Sequence, residues 1–339
     1  MKAVGGLFLL LLALLSLSAC KNSEQANSVG IGIIVGHKGT QKLKVVTTVG
    51  MIEDLSKNIA GDCADVKALM GPGVDPHLYK ASARDVRNLQ YAQLILYSGY
   101  HLEGHLAKVL EKLAESHSAV AVAERGIPFS KIINSFQGAV APDPHVWMDV
   151  SQWAMTVDVI RDELIKQAPE CKDDFTKRAK EYGLELNALH SWVKQSIASI
   201  PKAQQVLVTA HDAFAYYGRA YGLKVVGIQG ISTASEASLA NIRDTVNTIV
   251  EKRIPAIFVE SSINPRTILA VKAAVEDKGF AVKNGGQLYS DAMGQRGTAD
   301  GTYIGMLFHN TTLITKALGG TPPPLPQELN TWKNTWGIK

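Results

Sequence analysis

The sequence predicts an α/β protein of two similar lobes, each with a four-stranded parallel sheet, joined by one long helix. Three observations carry the prediction. Short β-branched runs alternate with amphipathic segments from residue 43 onward, the scheme returns after residue 201, and one unbroken helical stripe lies between. Such alternation marks parallel strands with helical crossovers, because a parallel neighbour is reached only by crossing the face of the sheet.

The chain opens with "MKAVGGLFLLLLALLSLSAC", an early lysine, a leucine-rich run and a small-residue exit. That is the layout of a secretory signal, and residues 1–19 are read as one. The apolar run is too short for a membrane span. Leu17, Ser18, Ala19 and Cys20 resemble the lipobox of bacterial lipoproteins, in which the cysteine is lipidated and becomes the mature N-terminus; the alternative is an ordinary signal peptide. A lipid on Cys20 anchors the protein to a membrane without spanning it. Residues 20–42 begin polar and continue glycine-rich, which reads as a tether, although the apolar stretch at 31–35 is foreign to that reading.

The first lobe, residues 43–172, offers strands at 43–48, 66–70, 93–98 and 119–124. In the second, residues 201–339, they fall at 205–210, 224–229, 256–260 and 280–285. Between the lobes, Phe175, Ala179, Tyr182, Leu186, Leu189, Val193 and Ile197 recur at steps of three and four, one apolar stripe of a helix within 173–200. At 1.5 Å per residue such a helix is about 40 Å long, enough to run the length of two stacked lobes. Pro201 stops it. A single stiff helix restricts how far two lobes can close, so small motions are expected.

Lysines and arginines number 35 against 31 acidic residues, and they are scattered; this is no nucleic-acid surface. Beyond Cys20 only Cys63 and Cys171 remain. In an oxidising compartment two leftover thiols commonly pair, the alternative being two separate buried thiols.

"GPGVDPHLYK", residues 71–80, sets His77 on a corner stiffened by Pro72 and Pro76. "APDPHVWMD", 141–149, repeats the Asp-Pro-His order at His145. His211 ends the first strand of the second lobe, and Asp291 lies in a loop after a strand of that lobe. Groups that bind ligands in open α/β sheets come from the carboxyl ends of strands, so these four can converge on one cleft. Three imidazoles and a carboxylate without thiolate suit Zn²⁺ or Mn²⁺. The alternative is chance turn chemistry. Glu260, ending the strand 256–260, is either a hydrogen-bond partner of a ligand imidazole or an exposed strand end.

The stretches "LMGPGVDPHLYKAS", "DPHVWMDV", "LVTAHDAFAYYGRAYGL", "GIQGISTASEAS", "IFVESSI", "LYSDAMG" and "GTYIGM" resemble the metal-binding solute-binding lipoproteins of bacterial zinc and manganese ABC importers, the TroA-like group. The resemblance runs from about Lys44 to about Leu318. It implies two α/β lobes on a long helix, with the metal held between them at positions that fall on His77, His145, His211 and Asp291. It also implies a monomer facing the periplasm or cell exterior, with ABC permease subunits and their cytoplasmic ATPase as partners. Zinc-specialised members often carry a histidine-rich loop before the second ligand, and residues 125–142 hold no histidine, so a Mn²⁺/Zn²⁺ carrier is expected.

Other features are set aside. His101 and His105 in "GYHLEGHL" share a face if a helix begins there, but the order is not that of a zinc protease, and a structural helix start is the preferred reading. Ser235 and Glu236 in "GISTASEAS" read as a capped helix start. His37, His117, His190 and His309 have no partner at ligand spacing. The competing function classes are a metal-dependent hydrolase and a surface adhesin; four enclosing ligands without a placed general base speak against the first.

Overall fold

The computed structural model describes residues 42–134 and 142–338. The leader, Cys20, the tether, the apolar stretch at 31–35 and His37 lie outside the described residues. β1 (Leu43–Thr47), β2 (Ala64–Ala68), β3 (Leu94–Tyr97) and β4 (Ala119–Ala121) form one parallel sheet in the order β2-β1-β3-β4. β2 lies two residues earlier than expected, although Leu69 and Met70 still donate to the Thr47 and Thr48 carbonyls at 2.9 and 3.0 Å. β4 stops short of Glu124 because Val122–Gly126 turns helical and buries Val122 and Ala123.

The second lobe holds β5 (Val206–His211), β6 (Lys224–Gln229), β7 (Ala256–Glu260) and β8 (Lys283–Leu288). Among the described residues these pair two by two, β5 with β6 and β7 with β8, both parallel, with β5 alongside β7. β8 begins three residues later than expected. The preceding helix, Arg266–Asp277, ends through a left-handed Gly279 at φ 79°, and the N–H of Phe280 returns to the Val275 carbonyl, so residues 279–280 belong to the helix cap.

Lys172–Ala198 is one helix of 27 residues. All seven residues of the stripe are buried on it, together with Trp192 and Ser196. It packs on the helix Gly50–Ala60 of the first lobe and on Tyr303–Ala317 of the second, which makes it a spine common to both. Tyr182 donates to Asp54 Oδ2 at 2.9 Å, and Trp192 Nε1 to the Pro323 carbonyl at 2.9 Å. Cys171 and Cys63 are bonded, tying the start of this helix to the start of β2.

The larger core runs through the first sheet, the spine and the near side of the second lobe. A smaller one, containing Val206, Val208, Ala210, Ile228 and Ile257 with Val246, Ile249, Val271 and Val275, fills the far side of β5–β8. Both faces of β5 are thus buried, and all six of its residues are buried with them. The carboxyl ends of the strands are the free ends. His211 is the last residue of β5, and the other candidate ligands lie on loops.

Candidate metal centre

The two Asp-Pro-His corners are built alike. Asp75 Oδ1 accepts the His77 N–H at 2.9 Å, and Asp143 Oδ1 accepts the His145 N–H at 2.9 Å. Each aspartate folds the chain back over a proline of fixed φ, so the imidazole two residues on stands on a braced turn. The aspartates then diverge. Asp143 Oδ1 also accepts from the His145 ring at Nδ1, 2.8 Å away, whereas Asp75 Oδ2 accepts from the Thr233 hydroxyl of the other lobe at 2.6 Å.

His211 is the last residue of β5, and Glu260, the last of β7, holds it at two points. Glu260 Oε1 accepts the His211 N–H at 2.9 Å and Oε2 accepts from Nδ1 at 2.6 Å. Glu260 is 2 % exposed, so it is no exposed strand end. A carboxylate can only accept, so Nδ1 of both His145 and His211 carries a proton and Nε2 is the nitrogen each ring turns to the cluster, where a cation displaces any proton it holds.

Those nitrogens meet. One donor atom from each of His77, His145, His211 and Asp291 lies within 4.8 Å of the others, and all four residues are buried. His145 Nε2 stands 3.3 Å from His77 Nε2 and 3.3 Å from Asp291 Oδ1; His211 Nε2 stands 3.2 Å from Asp291 Oδ2. His211 Nε2 and both Asp291 oxygens nevertheless have no aligned hydrogen bond. Buried polar atoms that approach one another without pairing are costly unless a common partner satisfies them, and a cation at their centre is that partner.

Charge points the same way. Burial opposes ionisation of Asp291, yet His211 and His145 hold its carboxyl well below the usual range. Burial likewise opposes protonation of His145 and His211; Asp143 with Asp291 hold the first at about 9, and Glu260 with Asp291 hold the second well above its ordinary value. His77, which no carboxylate touches at hydrogen-bond distance, is pushed down by burial to about 4. Asp143, Glu260 and Asp291 thus favour positive charge at His145 and His211, and a dication bound at their Nε2 atoms takes the place of those protons. The lobes meet beside it: Trp147 Nε1 donates to the Ser290 carbonyl at 2.9 Å, and Tyr303 donates its hydroxyl to the Trp147 carbonyl at 2.7 Å.

Residues 45–317 match the family model described as "ZnuA: Zinc-uptake complex component A periplasmic". The chain belongs to the ZnuA family. It is 48% identical over 283 residues to the manganese-binding lipoprotein MntA of Bacillus subtilis, spanning 84% of this chain and 92% of that protein. It is 47% identical over 274 residues to the zinc-binding protein TroA of Treponema pallidum, spanning 81% and 88%. The solved structure of Treponema pallidum TroA superposes with a TM-score of 0.80, covering 82% of this chain and 99% of that one. Membership in a family of uptake-complex components makes this chain a binding protein and not a hydrolase.

This ZnuA-family member differs in detail from the sequence expectation. No helix starts within "GYHLEGHL": Tyr100 and His101 are left-handed, a short 3₁₀ turn covers Gly104–Leu106, and the helix begins at Ala107. The cap in "GISTASEAS" is Ser238, whose side chain accepts from the Asn241 N–H at 3.1 Å ahead of the helix Leu239–Lys252. Ser235 and Glu236 belong to the loop before it, where the Ser235 carbonyl accepts from Gln229. His190 faces the Tyr221 hydroxyl and His309 the Gln287 carbonyl, away from the cluster. The sequence reading missed Asp143 and Asp75 as partners of the histidines they precede; the repeated Asp two positions before each His was the available signal.

Proposed function

We propose that this chain is the metal receptor of an ABC importer, capturing one Zn²⁺ or Mn²⁺ ion between its lobes on His77, His145, His211 and Asp291. The observation that supports it is the buried cluster of four donor atoms, two of its rings oriented through Nδ1 by Asp143 and Glu260 so that Nε2 faces the other donors. Relatives described as manganese- and zinc-binding proteins support the choice of ions. Three nitrogen donors favour Zn²⁺ by affinity, while Mn²⁺ is accepted through the carboxylate and by what the cell supplies.

The proposal extends to the rest of the chain. Residues 1–19 act as the export signal, Cys20 carries the lipid, residues 20–42 tether a monomeric receptor to the membrane, and permease subunits with their ATPase receive the ion. The lobes 43–172 and 201–339 close on it around the spine within 173–200. No helix among the described residues is long and apolar enough to cross a membrane, which is compatible with anchoring by lipid.

The test is a calorimetric titration of Zn²⁺ and Mn²⁺ into the metal-free protein and its Asp291→Ala variant. One ion per chain is expected, with Asp291→Ala weaker for both ions and with a smaller metal-induced rise in melting temperature. Equal affinity in the variant overturns the four-residue site.

A further inference from the structure

The segment Gly99–Gly104 stands outside the cluster, yet it holds two of the three left-handed non-glycine residues among the described residues. These are the adjacent Tyr100, at φ 51°, and His101, at 60°. Gly99 at 90° and Gly104 at 39° flank them. Left-handed backbone is unfavourable for residues with a Cβ and persists only where the surroundings hold it.

Two carboxylates do so, of which Glu103 is buried and Glu124 is exposed. Glu103, 1 % exposed, accepts the Ser98 N–H at 2.6 Å and the Thr48 hydroxyl at 2.8 Å on Oε1, and the Gly99 N–H at 3.2 Å on Oε2. Glu124 accepts the Tyr100 N–H at 2.6 Å. Thr48 and Ser98 directly follow β1 and β3, so Glu103 fastens the segment to the strand ends of the first sheet.

The far end of the segment touches His77. A Cβ added to Gly104 would stand 2.2 Å from the His77 carbonyl oxygen, 3.0 Å from its carbonyl carbon and 3.3 Å from its Cα. All three are main-chain atoms, which cannot swing aside as a side-chain tip can. This contact matters more for His77 than for its neighbours. The His145 and His211 rings are each held at Nδ1 by a carboxylate, whereas the polar contacts of the His77 ring, among the described residues, are made through Nε2 alone. Where its Nε2 stands is therefore set by its main chain: Asp75 grips the N–H and Gly104 lies against the carbonyl.

We propose that Glu103 and Gly104 are positioning residues for His77, Glu103 clamping the segment 98–104 so that Gly104 buttresses the His77 main chain and fixes its Nε2 in the cluster. The proposal rests on the reading of His77 as a metal ligand.

The test is a double-mutant cycle on the full protein, with Zn²⁺ affinity measured by chelator competition and Co²⁺ absorption as a second readout. Gly104→Ala and Glu103→Gln, whose amide cannot accept at both oxygen positions, are each made alone and on a His77→Ala background. Circular dichroism checks that each folds. Each single variant is expected to weaken Zn²⁺ binding about 10-fold or more, in the range seen when a support behind a ligand is removed. On His77→Ala neither is expected to weaken it further, and both shift the Co²⁺ spectrum toward that of His77→Ala. Unchanged affinity, or a loss that persists in full on the His77→Ala background, overturns the proposal, because a merely structural role would act whether or not His77 is present. If Gly104→Ala does not fold, the Glu103→Gln pair decides by the same criterion. Parent-like affinity of His77→Ala itself would remove the ligand reading, and the proposal with it, which distinguishes the two failures.

Discussion

Glu260 grips His211 by both main chain and ring, its two oxygens 2.9 Å from the backbone nitrogen and 2.6 Å from Nδ1. The residues are the last of β7 and of β5, so the contact joins neighbouring strand ends. It decides which nitrogen ligates. With Nδ1–H donated to a carboxylate, Nε2 is the nitrogen left for a cation, which displaces its proton on binding.

Glu260→Gln puts that arrangement at risk. One of its two polar atoms becomes an NH₂, and if that group faces Nδ1 the imidazole proton moves to Nε2 and blocks ligation. Zn²⁺ affinity is expected to fall roughly 10- to 100-fold. Calorimetric titration of Zn²⁺ checks this, and parent-like binding would show that the ring orients itself without the carboxylate.

The Cys63–Cys171 bond closes a separation of 108 residues at the end of β2 opposite the cluster. Replacing both cysteines by serine is expected to cost about 2–4 kcal/mol of stability, chiefly by freeing the unfolded chain. Zn²⁺ affinity should stay within about twofold, since no ligand or ligand partner touches the bond. Chemical denaturation and the same titration separate the two effects.

Asp54 sits where three helices meet, accepting from the Tyr182 hydroxyl at 2.9 Å and the Tyr303 N–H at 3.2 Å. Burial raises its carboxyl from 3.8 to about 6. The folded-state value lies above the unfolded one, so the charged form destabilises the fold in full above that value. The penalty shrinks as pH falls through the folded-state value and is gone below the unfolded one. Asp54→Asn keeps an acceptor for both donors and removes the charge. It is expected to raise stability at pH 7.5 by roughly 1–2 kcal/mol, allowing for solvent screening of a partly exposed group. It should be neutral at pH 3.5, and thermal melts across that range test the sign.

How much of this was legible in the sequence depended on whether a feature is local. The spine's stripe and the strand positions follow from periodicity, which local burial dictates. The pair of Asp-Pro-His corners is likewise local chemistry, and the structure brings both imidazoles beside His211 and Asp291. Features that depend on distant partners were missed or misplaced. Glu103 looked like part of a helix start because its acceptors' partners, Thr48 and Ser98, come from two strand ends that only the sheet brings together. Ser235 and Ser238 are both plausible caps, and which one starts the helix is decided by Gln229, which binds the Thr233 and Ser235 carbonyls and holds that stretch as a loop. Asp75 and Asp143 occupy identical local motifs, yet one reaches across the cleft to Thr233 and the other turns onto its own histidine.

The last prediction concerns exchanging His211 for glutamate, which adds an oxygen donor and should move preference toward the harder Mn²⁺. The Glu260 contact complicates it. In His211→Glu the buried Glu260 loses the Nδ1–H it accepts and faces a second carboxylate, a like-charge pair that burial makes costly. The single variant is therefore expected to weaken Zn²⁺ strongly and Mn²⁺ as well. His211→Glu combined with Glu260→Gln replaces one of the two charges with an amide donor and should recover Mn²⁺ binding while Zn²⁺ stays weak. The comparison is the ratio of Mn²⁺ to Zn²⁺ affinity, by competition titration, across parent, single and double variants. It should rise in the double variant by about tenfold or more, the scale of a ligand-type change at a fixed site. An unchanged ratio would mean that donor type at position 211 does not set which ion the cluster prefers.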